Sequence, residues 1–257
     1  ISLISTGEMQ VIGPVRSSGN LTLRTTTAGS DLVVGAGNDG VSSSTGTIAV
    51  VAARDIILGT PQDIGDLTSG TGTVLGSGRD IIQDYDTHIR SGGPISATAP
   101  RDFKILDSLG GGGLLEATNL SPISISAANS IVIATRNSVE AIDADIELTT
   151  NLLEIVDSTT FQPGSVASGT GSTLIRPFTA GRPVFIGGTA ANTLALPDAT
   201  LDLISAGGLV IGSSTSGPIA VSGPITRQAA TNVTLVSGGD ISIFQPINTG
   251  GGTLGFQ

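Results

Sequence analysis

The chain has 257 residues, among them 37 Gly, no Cys, no Trp and a single Lys, and it carries a net charge of −10. Charged residues are only 12% of the total, against roughly a quarter in ordinary domains, while aliphatic residues are plentiful and mean hydropathy is positive. That balance excludes intrinsic disorder; an acidic, Lys-poor surface excludes nucleic-acid partners and anionic membrane surfaces, and apolar runs as short as Ile48 to Ala53 exclude membrane insertion by a spanning helix. Absence of Cys fits a chain that crosses an envelope unfolded. A start at Ile1 with no signal-peptide features reads as an internal or processed fragment.

Along the chain, apolar residues come in alternating pairs, which puts both members on one face of a strand. Met9/Val11, Pro14-Val15 and Leu21/Leu23 open the series. The segment Gly35-Ala36-Gly37-Asn38-Asp39-Gly40-Val41 is similar to one nonapeptide of the RTX calcium rolls, with Asn38 and Asp39 as its candidate ligands. Such a site needs tandem copies, because neighbouring repeats share each ion. One copy is present, so a plain turn is expected, with no metal and no cofactor.

Ile48/Val50 follows, and then strands led by Asp55, Asp80 and Asp102. Between the last two lies the densest polar segment, Asp84-Tyr85-Asp86-Thr87-His88-Ile89-Arg90. Drawn as a strand, it puts Asp84, Asp86, His88 and Arg90 on one face, a set suited to acid–base chemistry on a sugar. The plainer reading is a solvated outer face, packed through Ile82, Tyr85 and Ile89. His88 is the only histidine, and no Gly-His-Gly or paired Asp-Asp motif of pectin hydrolases occurs. Lys104, as the single lysine, gives no basic cluster for a lyase. The expectation is therefore a protein without catalytic residues.

Gly110 to Gly113 reads as a loop, lacking the Lys-Ser/Thr that completes a phosphate loop. Pairs resume at Ile123/Ile125, Ile131/Ile133 and Ile146/Leu148, although Val139 to Val156 also admits a short helix. Residues 110–165 are the least regular stretch, and Pro163-Gly164 marks the expected internal joint. Beyond it the repeat is plain. Leu209/Ile211, Ile219/Val221, Pro224-Ile225 and Val233/Leu235 are followed by Ile241/Ile243, Pro246-Ile247 and Leu254/Phe256. Pro224 to Pro246 is a step of 22 residues, within the solenoid range.

A period of about 22–25 residues, with short strands and Gly-, Ser-, Thr- and Asn-rich turns, predicts one coil per repeat. No coil buries its apolar face alone; stacking at about 4.8 Å places like residues on like residues. The predicted fold is an all-β, right-handed parallel β-helix running as one elongated unit over 1–257. Leucine-rich repeats share the period, but their Leu-x-x-Leu-x-Leu and Asn ladder is missing; a propeller needs aromatic signatures that a 3% aromatic chain does not have, and a sandwich is the rival.

The stretches Gly207-Gly208-Leu209-Val210-Ile211-Gly212-Ser213 and Ala230 to Leu254 resemble the repeats of filamentous-haemagglutinin-like exoproteins, most clearly over 165–257 and diffusely over 1–160. That family comprises large proteins of Gram-negative bacteria, secreted through an outer-membrane partner, with β-helical shafts. The Asn-Pro-Asn motif of its secretion domain is missing. The resemblance therefore implies a non-catalytic shaft segment of a secreted, cell-surface adhesin or extracellular fibre. Its partners would be further coils of a longer parent chain or identical subunits stacked end to end, and its outside ligand a host surface or glycan. The alternative is a polysaccharide-degrading β-helix enzyme using the outer groove near residues 84–90.

Overall fold

The computed structural model describes residues 1–35, 40–108 and 110–257. The alternating pairs form strands because Ile, Val and Leu at every second position suit a pleated, one-sided surface. Coils of three strands follow one another. They are β1 (Ser2–Ser5), β2 (Met9–Val11) and β3 (Val15–Ser17); β4 (Leu21–Thr25), β5 (Leu32–Val34) and β6 (Val41–Ser43); β7 (Thr47–Ala52), β8 (Ile56–Leu58) and β9 (Leu67–Ser69). Then come β10 (Gly72–Ser77), β11 (Ile81–Gln83) and β12 (His88–Ser91), followed by β13 (Ile95–Ala99), β14 (Asp102–Ile105) and β15 (Leu114–Ala117). Next are β16 (Ile123–Ala127), β17 (Ser130–Ile133) and β18 (Ser138–Ala141), then β19 (Ile146–Thr150), β20 (Leu153–Ile155) and the first half of β21 (Ser165–Arg176).

Each strand pairs in parallel with its counterpart one coil away, and the result is a β-solenoid of about ten turns. On the first face, Ile95 stacks on Thr73, 22 positions earlier, and Ile123 on Ile95, 28 positions earlier. The strands keep register while the corner loops absorb the differences. Leu23, Val50, Leu75, Ala97, Ile125, Leu148 and Ile175 form one continuous interior column, and all are buried. A fully buried aliphatic side chain of this kind contributes about 1.5–3 kcal/mol. Leu21, Ile48, Ile131, Ile133 and Ile146, picked out by alternation, are likewise buried.

Residues 110–165, where the sequence leaves room for a joint or a short helix, hold β15 to β20 in register with the coils on either side. The interruption comes later. After β21 the chain forms β22 (Val184–Ile186), turns back, and forms β23 (Leu194–Leu196), which pairs in parallel with β22 on the side away from β25 (Ile219–Val221). The turn starts at Gly187, where φ is +81° and a Cβ would lie 2.4 Å from the Gly223 carbonyl oxygen; only glycine fits. A short helix, α1 (Asp198–Asp202), then leads into β24 (Ile204–Ser213). This coil is the long one: Leu209 stacks on Thr173, 36 positions earlier.

The remaining strands are regular: β26 (Ile225–Thr226), β27 (Asn232–Ser237), β28 (Ile241–Ile243), β29 (Ile247–Asn248) and β30 (Leu254–Phe256). They pair as the repeated sequence pattern predicts, Val233 with Leu254, Ile219 with Ile241 and Ile225 with Ile247. Among the described residues no helix is long and apolar enough to cross a membrane.

Candidate functional site

The segment 84–90 is not one strand: residues 84–87 turn, and β12 begins at His88. Tyr85 and Asp86 both take positive φ, 55° and 59°, so the chain turns a corner between β11 and β12 and the period-two geometry is lost. Asp84 is buried, and its carboxylate is committed to the next coil. Oδ1 accepts from the N–H groups of Tyr85 at 2.8 Å and Ser108 at 3.0 Å, and Oδ2 from the Ser108 hydroxyl at 2.5 Å. Asp86 is exposed and accepts from the Gly112 N–H at 2.9 Å.

The His88 ring lies between two carboxylates, hydrogen-bonded to neither: Nδ1 is 3.6 Å from Asp66 Oδ1, and Nε2 is 3.9 Å from Asp86 Oδ1. Its backbone N–H donates to Asp66 Oδ1 at 2.7 Å. Arg90 faces outward on β12 with Nε 3.4 Å from Glu116 Oε2. The structure thus brings Asp86 and His88 near Asp66, keeps Arg90 on the same outward face of β12 as His88, and leaves Asp84 buried beneath the corner. A pair of carboxylates facing one substrate bond, as glycoside cleavage requires, does not form from these four. Of the expected packing residues, Ile89 is buried, whereas Ile82 and Tyr85 are half-buried. Asn38 and Asp39 lie outside the described residues. Among the described residues, no group of three or more His, Cys, Asp or Glu is placed to hold a metal ion.

The more organised polar array is one that alternation does not reveal. At the corner entering the second face, each coil offers an Asp to the Arg of the next. Asp31 pairs with Arg54, Asp55 with Arg79 and Asp80 with Arg101, each through Nε and Nη2. Arg54 Nε stands 2.6 Å from Asp31 Oδ1, and Arg79 Nε 2.9 Å from Asp55 Oδ1. The same carboxylates accept the N–H of the residue after each arginine, those of Asp55, Asp80 and Asp102. Two-pronged pairing of this kind fixes orientation as well as charge.

The ladder ends at Asp102, which accepts from Asn129, Ser130 and Lys104 instead. Its visible signal is the dipeptide Arg-Asp at 54–55, 79–80 and 101–102. The hydrogen bonds from Arg54 hold the Asp31 carboxyl below the usual carboxylate range. At Asp102, burial pushes the carboxyl up, but the bonds from Ser130, Asn129 and Lys104 together outweigh it and leave it lowered.

A second ladder lines the corner between the third and first faces. Ser17, Ser43, Ser69 and Ser91 stack in register. Ser69 Oγ donates to Ser91 Oγ at 2.9 Å, and Ser43 Oγ to the Gly19 carbonyl at 2.7 Å. Both arrays hold coil to coil. Comparison with family models, curated proteins and solved structures finds no match to this chain.

Proposed function

We propose that this chain is a structural, non-catalytic shaft segment of a secreted bacterial surface adhesin or extracellular fibre, with a role in length, stiffness and display. The observation that carries the reading is the commitment of polar side chains to neighbouring coils. Asp31, Asp55, Asp80, Asp84 and Asp102 all spend their carboxylates on coil-to-coil contacts, which stiffens a rod and leaves those groups unavailable for chemistry. The resemblance to filamentous-haemagglutinin-like repeats supplies the cell-surface location in a Gram-negative bacterium.

The end coils fit contact with further coils. Leu254 and Phe256 are 39% and 51% exposed, whereas their register partners Val233 and Leu235 are 2% and 1% exposed. Open strand edges with apolar interiors invite such pairing, whether from a longer parent chain or from identical subunits. The alternative of a polysaccharide-cleaving enzyme at 84–90 lacks a second free carboxylate, since Asp84 is buried and bonded to Ser108.

Negative-stain electron microscopy of the purified chain at several concentrations tests the reading. Rods about 50 Å long, on the spacing of stacked strands, and end-to-end multiples of them are expected. Compact particles without a long axis, or hydrolysis of a polysaccharide that Asp86→Ala and His88→Ala abolish, would overturn it.

A further inference from the structure

Where β21 and β24 run unbroken through a corner that other coils turn with a loop, three adjoining cavities of about 390, 110 and 530 Å³ open on the surface. Ser205 borders all three, and Asp202 borders the first two. They form one bent groove, with Pro163 and Gly164 at one end, Asp202 and Arg227 in the middle, and Gly207, Gly208 and Asn232 at the other end. The pairing of β21 with β24 slips between Ala167, Gly169 and Ser172, where the residues are small.

Arg227 is the unusual group in it. The side chain is 7% exposed, and among the described residues it has no ion pair. Nη1 donates to the Leu201 carbonyl and Nη2 to the Ile204 carbonyl, while Nε has no partner. A guanidinium has five N–H groups; two are spent on these carbonyls and Nε is closed off from solvent, so the donors left for the middle cavity are the second N–H groups of Nη1 and Nη2. Asp202, exposed at the same cavity, supplies an acceptor that makes no hydrogen bond of its own among the described residues.

The charge pattern selects the ligand class. One buried cation faces Asp202 and the nearby Asp198 on a chain of net charge −10, which repels phosphate, sulfate and acidic sugars. An apolar ligand would leave the arginine and the hydroxyls of Ser172 and Ser205 unpaired, at a cost. A sugar hydroxyl both donates and accepts, and so matches a donor and an acceptor set side by side. We propose that this groove binds a neutral oligosaccharide, with Arg227 donating to its hydroxyls and Asp202 accepting from them. The site is independent of the shaft reading, since a rod without it is still a rod.

The test is calorimetric titration of the full chain with neutral hexasaccharides of glucose, mannose, galactose and N-acetylglucosamine, and with hexagalacturonate. Arg227 is left intact because it also anchors α1. Ser205→Tyr fills the groove from an exposed position, Asp202→Ala removes the acceptor, and Thr98→Tyr on the outer first face is the control.

Binding of at least one neutral hexasaccharide at millimolar concentration or below is expected. It should weaken at least about tenfold in both groove variants and stay unchanged in the control, with melting temperatures close to that of the parent. Absence of binding across the neutral panel, binding indifferent to both variants, or preference for hexagalacturonate would overturn the proposal.

Discussion

The coils of residues 21–155 and the long coil that runs from β21 through α1 to β24 meet one requirement in opposite ways. Both must satisfy backbone groups at corners that point away from the strand ladder. The regular coils use a repeated device: one Asp per turn takes an Arg and a backbone N–H from its neighbour, at Asp31, Asp55 and Asp80 in succession. The long coil is held by clasps that do not repeat from coil to coil. Arg227 reaches inward to the Leu201 and Ile204 carbonyls, and Asp198 accepts from the Thr226 N–H at 2.8 Å and hydroxyl at 2.7 Å. Repetition spreads a loss over neighbours, whereas an unrepeated clasp has no equivalent in the adjoining coils. The regular coils should therefore behave as one cooperative body, and the α1 region as a separable local unit.

The largest effect is expected in the regular core. Phe103→Ala empties a fully buried site stacked between Ile81 and Ile131 and should cost about 3–5 kcal/mol in denaturant unfolding. Hydrogen exchange should quicken across the neighbouring coils together. Arg227→Met takes the side-chain donor from the buried Ile204 carbonyl and one of two donors from Leu201, and should cost about 1–3 kcal/mol. Its mark is locality, with faster exchange at 184–203 while 95–155 keeps its protection. Uniform loss over the whole chain in this variant would erase the distinction between the two regions.

Asp80→Ala removes the acceptor of the Asp102 N–H and should cost about 1–2 kcal/mol in the same assay. Acid should act on the same ladder. Asp31 and Asp102 have lowered pKa values in the fold, so the stability they contribute is complete above the unfolded value, about 4, and is lost as pH falls through the lower folded values. Melting temperature should be flat above about pH 5 and fall steadily below about pH 4, less steeply in an Asp31→Asn, Asp102→Asn double variant. Smallest of all, His88→Ala should change stability by less than about 0.5 kcal/mol, since His88 donates no side-chain hydrogen bond across the corner.

Much of this organisation is legible in the residues. Alternating pairs such as Ile219/Val221 and Ile241/Ile243 name both the strands and their register partners, because burial on one face enforces period two. Corners are less legible. The array at Asp84, Asp86, His88 and Arg90 assumes that alternation continues, and two left-handed residues at 85 and 86 end it. The Arg-Asp dipeptides read only as Asp-led strand starts, because each arginine hydrogen-bonds an aspartate about one coil back and stands a longer 3.6 Å from its neighbour in sequence. The return of β23 beneath β22 leaves no pattern either, since alternation states which face a residue takes but not the level of its strand. The clasp at Arg227 likewise depends on contacts 23 and 26 residues away.

The central claim, parallel stacking in register, is tested most directly by paired cysteines in a chain that has none of its own. Ser96 lies beside Ser124, and Ser124 beside Glu147, on the outer first face. Neighbouring strands are about 4.8 Å apart, within disulfide reach, and next-nearest strands are not. Mild oxidation should link Ser96→Cys to Ser124→Cys, and Ser124→Cys to Glu147→Cys, but not Ser96→Cys to Glu147→Cys, as read by mass spectrometry of the digested protein. Efficient linkage of 96 to 147 with none between 96 and 124 would contradict the stack.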